Sequence, residues 1–300
     1  MMLAQLNKQH GIPEQLEIVQ KNNDITLIEI NSVHAQATIS SHGGQVLSFT
    51  PVSSKHDLLF VSKLAQFKAG KAIRGGIPVC WPWFGPDPQN IGPAHGLVRT
   101  RLWQIRETAL LPDGSIRVIL AIQDNDETRE IWPHCFDLSI TITIAQTLTV
   151  ELATQNTGAT PFTLTQALHT YFNVADSQHI QITGLNKTRY IDKTDSGRVK
   201  QQTGAVTITE ETDRIYTSTE SSLALKDEVF SRNISLQSEN SKTVIIWNPW
   251  ITKSAAMSDF DNQEYKNMVC IETANAGDEL ITVAPGNSYS ILSNYIIEQT

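Results

Sequence analysis

Residues 138–144, LSITITI, alternate strictly between aliphatic and small polar side chains. A period of two over this length predicts a strand that buries one of its faces. Residues 148–152, LTVEL, follow after a short turn and predict the second strand of a hairpin, which ends at the turn signal of residues 156–158, NTG. This hairpin decides the fold class, because similar segments recur along the chain whereas helical periodicity is scarce.

The other predicted strands share a content of leucine and β-branched residues between Asn, Asp, Gly and Ser. They are residues 25–30, 116–122, 162–168, 180–182, 234–236, 244–247, 269–271 and 288–297. Two short segments, residues 127–132 and 262–267, favour helix. We therefore predict an all-β protein, a single-domain antiparallel β-sandwich over residues 1–300 with a few short helices. Residues 1–20 carry no functional signal and are expected to be peripheral.

Composition narrows the class of protein. The chain has 300 residues, 40% hydrophobic and 18% charged, and a formal net charge of −8. These values exclude a disordered chain, and the acidic excess argues against nucleic-acid binding. No apolar run approaches the roughly 18 residues of a membrane span. Three widely spaced cysteines make a disulfide framework unexpected. Residues 1–11 lack an apolar signal core, so we expect a cytoplasmic protein.

One segment departs from the strand pattern. Residues 70–96 hold six of the 16 glycines and five of the 12 prolines, mixed with Trp and Phe, which predicts an ordered loop that carries function. Arg74 precedes two glycines, where the backbone can approach a ligand, and suits bidentate recognition of phosphate. Arg99 follows a second turn marked by His95 and Gly96. The window from Lys68 to Arg106 has a net charge of +5. For any single cation in it, the alternative is a chance position on the exposed surface.

Three further side chains are candidates for chemistry. His169 shares a predicted strand face with small polar residues, which leave room for a ligand, but a lone histidine is more often structural. Glu272 shares a face with Cys, Met and Ala, where poor solvation would raise its pKa toward that of a general base. A glutamate at a strand end that reaches solvent or pairs with a lysine is the alternative. Asp213 lies in an acidic segment that also suits a solvated turn.

Several cofactor motifs are absent from the sequence. It contains no complete phosphate-binding P-loop, no G-x-G-x-x-G after a strand, no H-E-x-x-H and no G-x-S-x-G. The eight histidines show no reliable metal-ligand spacing. We therefore expect neither a cofactor nor a metal.

Taken together, these stretches resemble the hexose-6-phosphate 1-epimerases of the aldose 1-epimerase, or galactose mutarotase-like, superfamily. The stretches that carry the resemblance occur in order over most of the chain: residues 74–78 (RGGIP), 81–85 (WPWFG), 95–99 (HGLVR), 167–172 (ALHTYF), 211–216 (ETDRIY), 247–250 (WNPW) and 270–274 (CIETA). Each motif alone is modest, whereas the ordered set is specific.

The resemblance implies a super-sandwich of antiparallel strands with the site on a concave face. It implies that His169 is the general acid and Glu272 the general base. The implied substrate-binding residues are Arg74 and Arg99 for the phosphate, Asp213 for the sugar, and His95, which keeps its place in its motif. Ala94 stands where many relatives have Gln, so one substrate contact differs.

The activity implied is interconversion of the α and β anomers of glucose 6-phosphate by ring opening and closure, in a protein expected to be a monomer. A base and an acid suffice for this reaction. Three alternatives remain at this stage. They are a non-catalytic carbohydrate-binding or sugar-sensing protein, a mutarotase for unphosphorylated aldoses, and a glycosidase that uses Asp213 and Glu272 as its two carboxylates.

Overall fold

The computed structural model describes residues 3–21, 25–217 and 219–300. The chain begins with helix α1 (Leu3–His10), followed by four strands in one antiparallel sheet. These are β1 (Leu16–Lys21), β2 (Ile25–Asn31), β3 (Ala35–Ser40) and β4 (Gln45–Pro51), in the order β1-β2-β3-β4. Within the N-terminal segment predicted to be peripheral, β1 is an edge strand, yet its Leu16 and Ile18 side chains are buried in the core. Met1 and Met2 of that segment lie outside the described residues.

The middle of the chain supplies strands for both large sheets. These are β5 (Val79–Cys80), β6 (Gln104–Leu110), β7 (Ile116–Gln123), β8 (Phe136–Ile144), β9 (Leu148–Asn156), β10 (Phe162–Leu164), β11 (Gln166–Leu168) and β12 (Tyr171–Asn173). Helix α2 (Asp126–Ile131) lies between β7 and β8 and has a capping box at Asn125 and Thr128. It confirms the helix predicted over residues 127–132.

The rest of the chain completes the sheets. Its strands are β13 (Ile180–Thr183), β14 (Arg189–Asp192), β15 (Arg198–Gln201), β16 (Thr212–Thr217), β17 (Ser222–Asp227), β18 (Arg232–Glu239), β19 (Thr243–Asn248), β20 (Met268–Asn275), β21 (Ile281–Val283) and β22 (Ser288–Gln299). Helix α3 (Trp250–Ala256) follows β19, and 3₁₀ turns cover Ser177–His179, Lys193–Asp195 and Glu264–Asn267. The second helix predicted from sequence, residues 262–267, is thus a 3₁₀ turn. None of the described helices exceeds eight residues, which is too short to traverse a bilayer.

Two large antiparallel sheets form the body of the molecule. One has the strand order β15-β14-β16-β19-β20-β11-β5, with β12 also paired to β20, and is called here the site sheet. The other has the order β13-β17-β18-β22-β9-β8-β7-β6. The hairpin that decided the fold class is β8 and β9, with Ile140 opposite Leu152. Its aliphatic side chains are buried, as the alternation predicts. The predicted all-β, antiparallel sandwich with a few short helices is confirmed.

The site sheet is buried on both faces. Ile246 of β19 and Ile271 of β20 belong to the main hydrophobic core, which also takes side chains from the first sheet and from β8 and β9. The neighbouring positions Ile245 and Cys270 belong to smaller clusters on the opposite face. Every residue of β20 is consequently buried. The prediction that Val269 and Ile271 lie on one face and Glu272 on the other agrees with this division.

One predicted strand is divided in the structure. Residues 162–168 form β10, which pairs with β21, and β11, which pairs with β20 and β5. The break is at Thr165, whose N–H donates to Pro82 O (3.0 Å) and whose hydroxyl accepts from Phe84 N–H (2.8 Å). The face predicted to combine Thr163, Thr165, Ala167 and His169 is therefore interrupted. These loop contacts of Thr165 fix the point at which the chain leaves the pairing of β10 with β21 and enters the pairing of β11 with β20.

Candidate active site

A row of four side chains crosses the face of the site sheet that is opposite the main core. Asp213 of β16 pairs in register with Trp247 of β19, which pairs with Cys270 of β20, which pairs with Tyr171 of β12. Paired residues of antiparallel strands project to the same face. Glu272 lies two residues beyond Cys270 and so projects to that face as well. The strand register therefore gathers residues that are far apart in sequence.

His169 joins this face beside Glu272. It follows β11, and its N–H donates to Pro78 O at 3.0 Å, which ties it to the segment after Arg74. Its Nε2 lies 3.4 Å from Glu272 Oε1, and the two side chains are only 10% and 1% exposed. The alternative in which Glu272 reaches solvent is wrong.

The pair keeps unused hydrogen-bonding capacity. Within the described part of the chain, His169 Nδ1 and Glu272 Oε2 are buried and have no hydrogen-bond partner. Buried polar atoms normally find partners, and those that do not require an explanation. The hydroxyl groups of a bound ligand can supply the hydrogen bonds that these two atoms lack.

Burial governs the protonation of this pair. Desolvation raises the pKa of Glu272 well above its ordinary value, and the Asp213 carboxylate adds to that shift. Desolvation also lowers the pKa of His169, with further contributions from the positive charges of Arg99 and Arg74. A neutral carboxyl beside a neutral imidazole contains the same number of protons as a carboxylate beside an imidazolium. One proton transfer within the pair therefore interconverts the two forms.

Aromatic rings fix the orientation of His169. The Tyr171 ring stacks on the imidazole with centroids 4.9 Å apart and planes at 10°. Trp247 approaches both rings edge-on, with its centroid 6.2 Å from that of His169 and 6.0 Å from that of Tyr171. The Trp247 indole is only partly buried. It can therefore offer an apolar surface to the C–H groups of a sugar.

His95 is a second imidazole of the site, with its ring centroid 5.8 Å from that of His169. Its Nδ1 accepts a hydrogen bond from Gly85 N–H (3.4 Å) and lies 3.5 Å from Cys80 Sγ. Desolvation, together with the charges of Arg99 and Arg74, lowers the pKa of His95 to about 3. The ring is consequently neutral at physiological pH. Because Nδ1 accepts, the proton is on Nε2, which is a hydrogen-bond donor.

Arg74 contacts the same cluster through Tyr171. Its Nη1 donates to Tyr171 Oη at 3.1 Å, while Nε and Nη2 approach Asp259 Oδ2 at 3.2 and 3.1 Å. Asp259, which lies in a loop after α3, was not predicted from any sequence pattern. The phosphate-binding role implied for Arg74 therefore applies to a guanidinium that already has one carboxylate partner.

The glycines after Arg74 have a different role from the one predicted. A Cβ on Gly75 would lie 2.3 Å from Phe60 O, and a Cβ on Gly76 would lie 2.2 Å from Val46 O. Their backbones, with φ of +117° and +67°, lie tightly against the backbones of Phe60 and Val46. Tight packing there brings Gly76 O within 2.9 Å of Tyr171 N, which places Arg74 next to the site.

Arg99 lies on the same side of the sheet. Its Nη2 donates to Ala94 O at 2.9 Å, and its charge contributes to the lowered pKa values of His95 and His169. Other cations of the positive window are engaged elsewhere. Arg101 pairs with Glu127, and Arg106 pairs with Asp137. Only part of the +5 window therefore faces the site.

Asp213 is at the far end of the row of four. It belongs to β16 rather than to a solvated turn, and desolvation raises its pKa. Lys253 of α3 lies 3.8 Å from Asp213 Oδ2 and 2.9 Å from Glu211 Oε1. Asp213 is thus a partly buried carboxylate at the edge of the site.

Cys270 completes a group of possible metal ligands. One ligand atom each of His169, Cys270 and Glu272 lies within 4.8 Å of the others, and all three residues are buried. The sequence predicted no metal site, because β11 and β20 bring these ligands together from positions a hundred residues apart.

Residues 26–295 match the family model "Aldose 1-epimerase". The chain belongs to the aldose 1-epimerase family. It is 34% identical over 260 residues to an Escherichia coli protein named "Putative glucose-6-phosphate 1-epimerase". This match covers 86% of each of the two chains. It is 36% identical over 262 residues to a Cenchrus ciliaris protein of the same name, which covers 84% of this chain and 78% of that protein.

A solved structure agrees over the whole length of this family member. The crystal structure described as "a putative mutarotase (YeaD) from Salmonella typhimurium" superposes with a TM-score of 0.90 at 28% identity and covers 100% of both chains. The galactose mutarotase-like super-sandwich that the motifs implied is therefore confirmed.

Proposed function

We propose that this aldose 1-epimerase family member interconverts the α and β anomers of a hexose 6-phosphate, with glucose 6-phosphate as its substrate. The single observation that carries the proposal is the buried His169–Glu272 pair. Its two groups are 3.4 Å apart, and each has a buried polar atom without a hydrogen-bond partner among the described residues. The printed names of the relatives supply the substrate class.

The reaction needs one proton removed and one delivered at neighbouring oxygens. With Glu272 as base and His169 as acid, Glu272 takes the proton of the anomeric hydroxyl while His169 protonates the ring oxygen. The bond between C1 and the ring oxygen breaks, and C1 becomes the carbon of an aldehyde. Rotation about the C1–C2 bond presents the other face, and closure returns both protons. The anomeric hydroxyl oxygen and the ring oxygen are both bonded to C1. Two proton-transfer groups that lie close together can therefore reach both oxygens.

The proton count of the pair suits this cycle. The pair holds one proton before ring opening and one after it, since one is taken and one is given. Burial disfavours the separated charges of imidazolium and carboxylate, and both charges are neutralised when Glu272 takes a proton and His169 gives one. Each positioned proton-transfer group contributes roughly 10²–10⁴-fold in rate.

The neighbouring groups account for binding. His95 offers a fixed neutral N–H donor, Trp247 an apolar surface, and Asp213 a carboxylate for sugar hydroxyls. Arg99 and Arg74 provide positive charge on the same side, and Arg99 has no carboxylate partner in the described part of the chain. A phosphate ester at the end of the hexose is therefore assigned to the side of Arg99 and Arg74.

The test is exchange NMR on the anomeric protons of glucose 6-phosphate, with glucose and galactose in parallel. We expect protein-dependent exchange of the phosphate ester that exceeds exchange of either free sugar. Equal acceleration of all three would keep the acid–base pair and remove the phosphate assignment. Saturable binding of the ester without any exchange would contradict the proposal and indicate a sugar-sensing protein.

A further inference from the structure

We propose that His169, Cys270 and Glu272 form a binding site for a thiophilic divalent cation such as Zn²⁺. The inhibition that follows from occupancy rests on the proposed function, whereas the binding itself does not. Cys270 has no part in the proton transfers described above. It nevertheless projects from β20 to the same face as Glu272, and its Sγ belongs to the buried ligand group.

The distance within the pair matches a zinc site. Zinc binds imidazole nitrogen and carboxylate oxygen at about 2.0–2.2 Å, so a tetrahedral ion holds such ligands about 3.3 Å apart. His169 Nε2 and Glu272 Oε1 are 3.4 Å apart. The Cys270 ligand atom lies no more than 4.8 Å from the other two, whereas a tetrahedral ion would place sulfur about 3.6 Å from each of them. A small side-chain adjustment closes the difference.

The chemistry of the donors selects the cation. A thiolate with an imidazole favours borderline and soft ions, whereas Mg²⁺ and Ca²⁺ prefer sites made of oxygen atoms. Three protein ligands leave one position of a tetrahedral ion for water or for a hydroxyl of a ligand. Glu272 Oε2 has no hydrogen-bond partner among the residues that the structure describes, so the carboxylate has a second oxygen available for coordination.

The surrounding charges permit a cation here. The Asp213 carboxylate is close enough to raise the pKa of Glu272, so it adds negative potential at the site. Arg74 is balanced by Asp259, its ion-pair partner. Arg99 opposes the cation, and a thiolate and a carboxylate in direct contact with the ion exceed that opposition.

Occupancy would stop the reaction. An ion bound to His169 Nε2 and to the Glu272 carboxylate takes the lone pairs with which these groups exchange protons. Cation binding and turnover would therefore exclude each other. In the enzyme proposed here, zinc is an inhibitor that depends on a cysteine the reaction does not use.

The decisive experiment is titration of the whole protein with Co²⁺ as a spectroscopic substitute for Zn²⁺. We expect one equivalent to give visible bands of a four-coordinate ion and a near-ultraviolet thiolate-to-cobalt charge-transfer band, both abolished by added Zn²⁺. Cys135→Ser, a substitution of a cysteine away from the site, is the matched control and keeps both features. Cys270→Ser loses the charge-transfer band. A wild-type spectrum without that band, or the same band in Cys270→Ser, overturns the proposal.

Inhibition by Zn²⁺ is the second readout. Loss of a group that only hydrogen-bonds to a metal ligand costs about 10–100-fold in metal affinity. Loss of Cys270, a ligand itself, is therefore expected to weaken zinc inhibition by at least about tenfold. Zinc inhibition of wild type, Cys135→Ser and Cys270→Ser is therefore expressed relative to the zinc-free rate of anomer exchange of each protein. Equal inhibition of Cys270→Ser and wild type would refute the site. If the protein catalyses no anomer exchange, the cobalt titration still decides whether the ion binds, so the two proposals fail separately.

Discussion

Thr170 and Tyr295 link the two large sheets directly beneath the candidate acid–base pair. Their hydroxyl oxygens are 2.6 Å apart and fully buried. Thr170 follows His169 in sequence, while Tyr295 belongs to β22 of the opposite sheet. A second hydroxyl contact of the same kind joins Ser293 of β22 to Thr273, the residue after Glu272. Strand β22 therefore anchors the backbone next to both members of the pair.

Replacement of Tyr295 with Phe is expected to lower the free energy of unfolding by about 1–2 kcal/mol, because the buried Thr170 hydroxyl loses its 2.6 Å partner and keeps the longer contact, 3.4 Å, with Leu168 O. The ring remains and keeps its contact with Phe172, whose centroid is 5.8 Å away. Urea denaturation measures the change. Tyr289→Phe is the matched control, since the Tyr289 hydroxyl, near the start of β22, is more exposed and donates to Asn240 O. An equal or larger loss in that control would contradict the anchoring role.

Glu272→Gln should remove activity without loss of the fold. We expect anomer exchange to fall by about 10²–10⁴-fold, because an amide cannot accept the proton of the anomeric hydroxyl. The raised pKa of Glu272 means that the folded wild type loses stability as pH rises above the ordinary carboxyl pKa. The variant lacks this loss. Its free energy of unfolding relative to wild type should therefore increase between about pH 5 and about pH 8.

Glu264→Gln separates this effect from ordinary loss of a buried acid. Glu264 is 4% exposed and accepts hydrogen bonds from Ser62 Oγ (2.7 Å), Lys63 N (2.9 Å) and Asp261 N (3.1 Å). We expect that variant to be less stable than wild type at both pH values. A Glu272→Gln protein that exchanges anomers at the wild-type rate would refute the role of Glu272 as base.

The sequence predicted the parts of the fold that depend on local pattern. The alternation in residues 138–144 predicts a half-buried strand without reference to the rest of the fold. These residues form part of β8, in which buried and partly buried side chains alternate. The face assignment of Glu272 also follows from a period of two. Helix α3 was missed because its sequence, WITKSAA, has no side-chain cap in the structure and only seven residues. Residues 162–168 were predicted as one strand because the contacts of Thr165 with Pro82 and Phe84 are not local.

The site residues could be predicted only where the neighbouring residues in sequence indicate the surroundings of the side chain. Glu272, flanked by Cys270 and Ala274, is such a residue, and so is His169 among small side chains. Asp259 and the contact of Cys80 with His95 arise from loop packing, which sequence spacing does not encode. The +5 window shows the same limit, since Arg101 and Arg106 are engaged by acids outside the window.

His95 predicts a specific loss of stability in acid. Its pKa is about 3 in the folded protein, below the ordinary value of 6.5, so the unfolded chain takes up a proton that the folded protein does not. Stability is thus highest above pH 6.5 and falls as the pH decreases toward 3. Between about pH 6.5 and about pH 5.5 this group alone costs about 1 kcal/mol. Chemical denaturation at several pH values should show a shallower decline for His95→Gln, and parallel curves for both proteins would contradict the assignment.

Arg99→Met should impair binding of the phosphate ester and leave the chemistry intact. A hydrogen bond to a charged group contributes about 1.5–3 kcal/mol, so KM for glucose 6-phosphate is expected to rise about 10–100-fold, with kcat changed far less. Exchange of free glucose should change far less than exchange of the ester, because free glucose has no phosphate for Arg99 to bind. Arg101→Met is the matched control: Arg101 is two residues away but pairs with Glu127, outside the site. If both substitutions raise KM equally, the effect is one of overall charge, and Arg99 does not bind the phosphate.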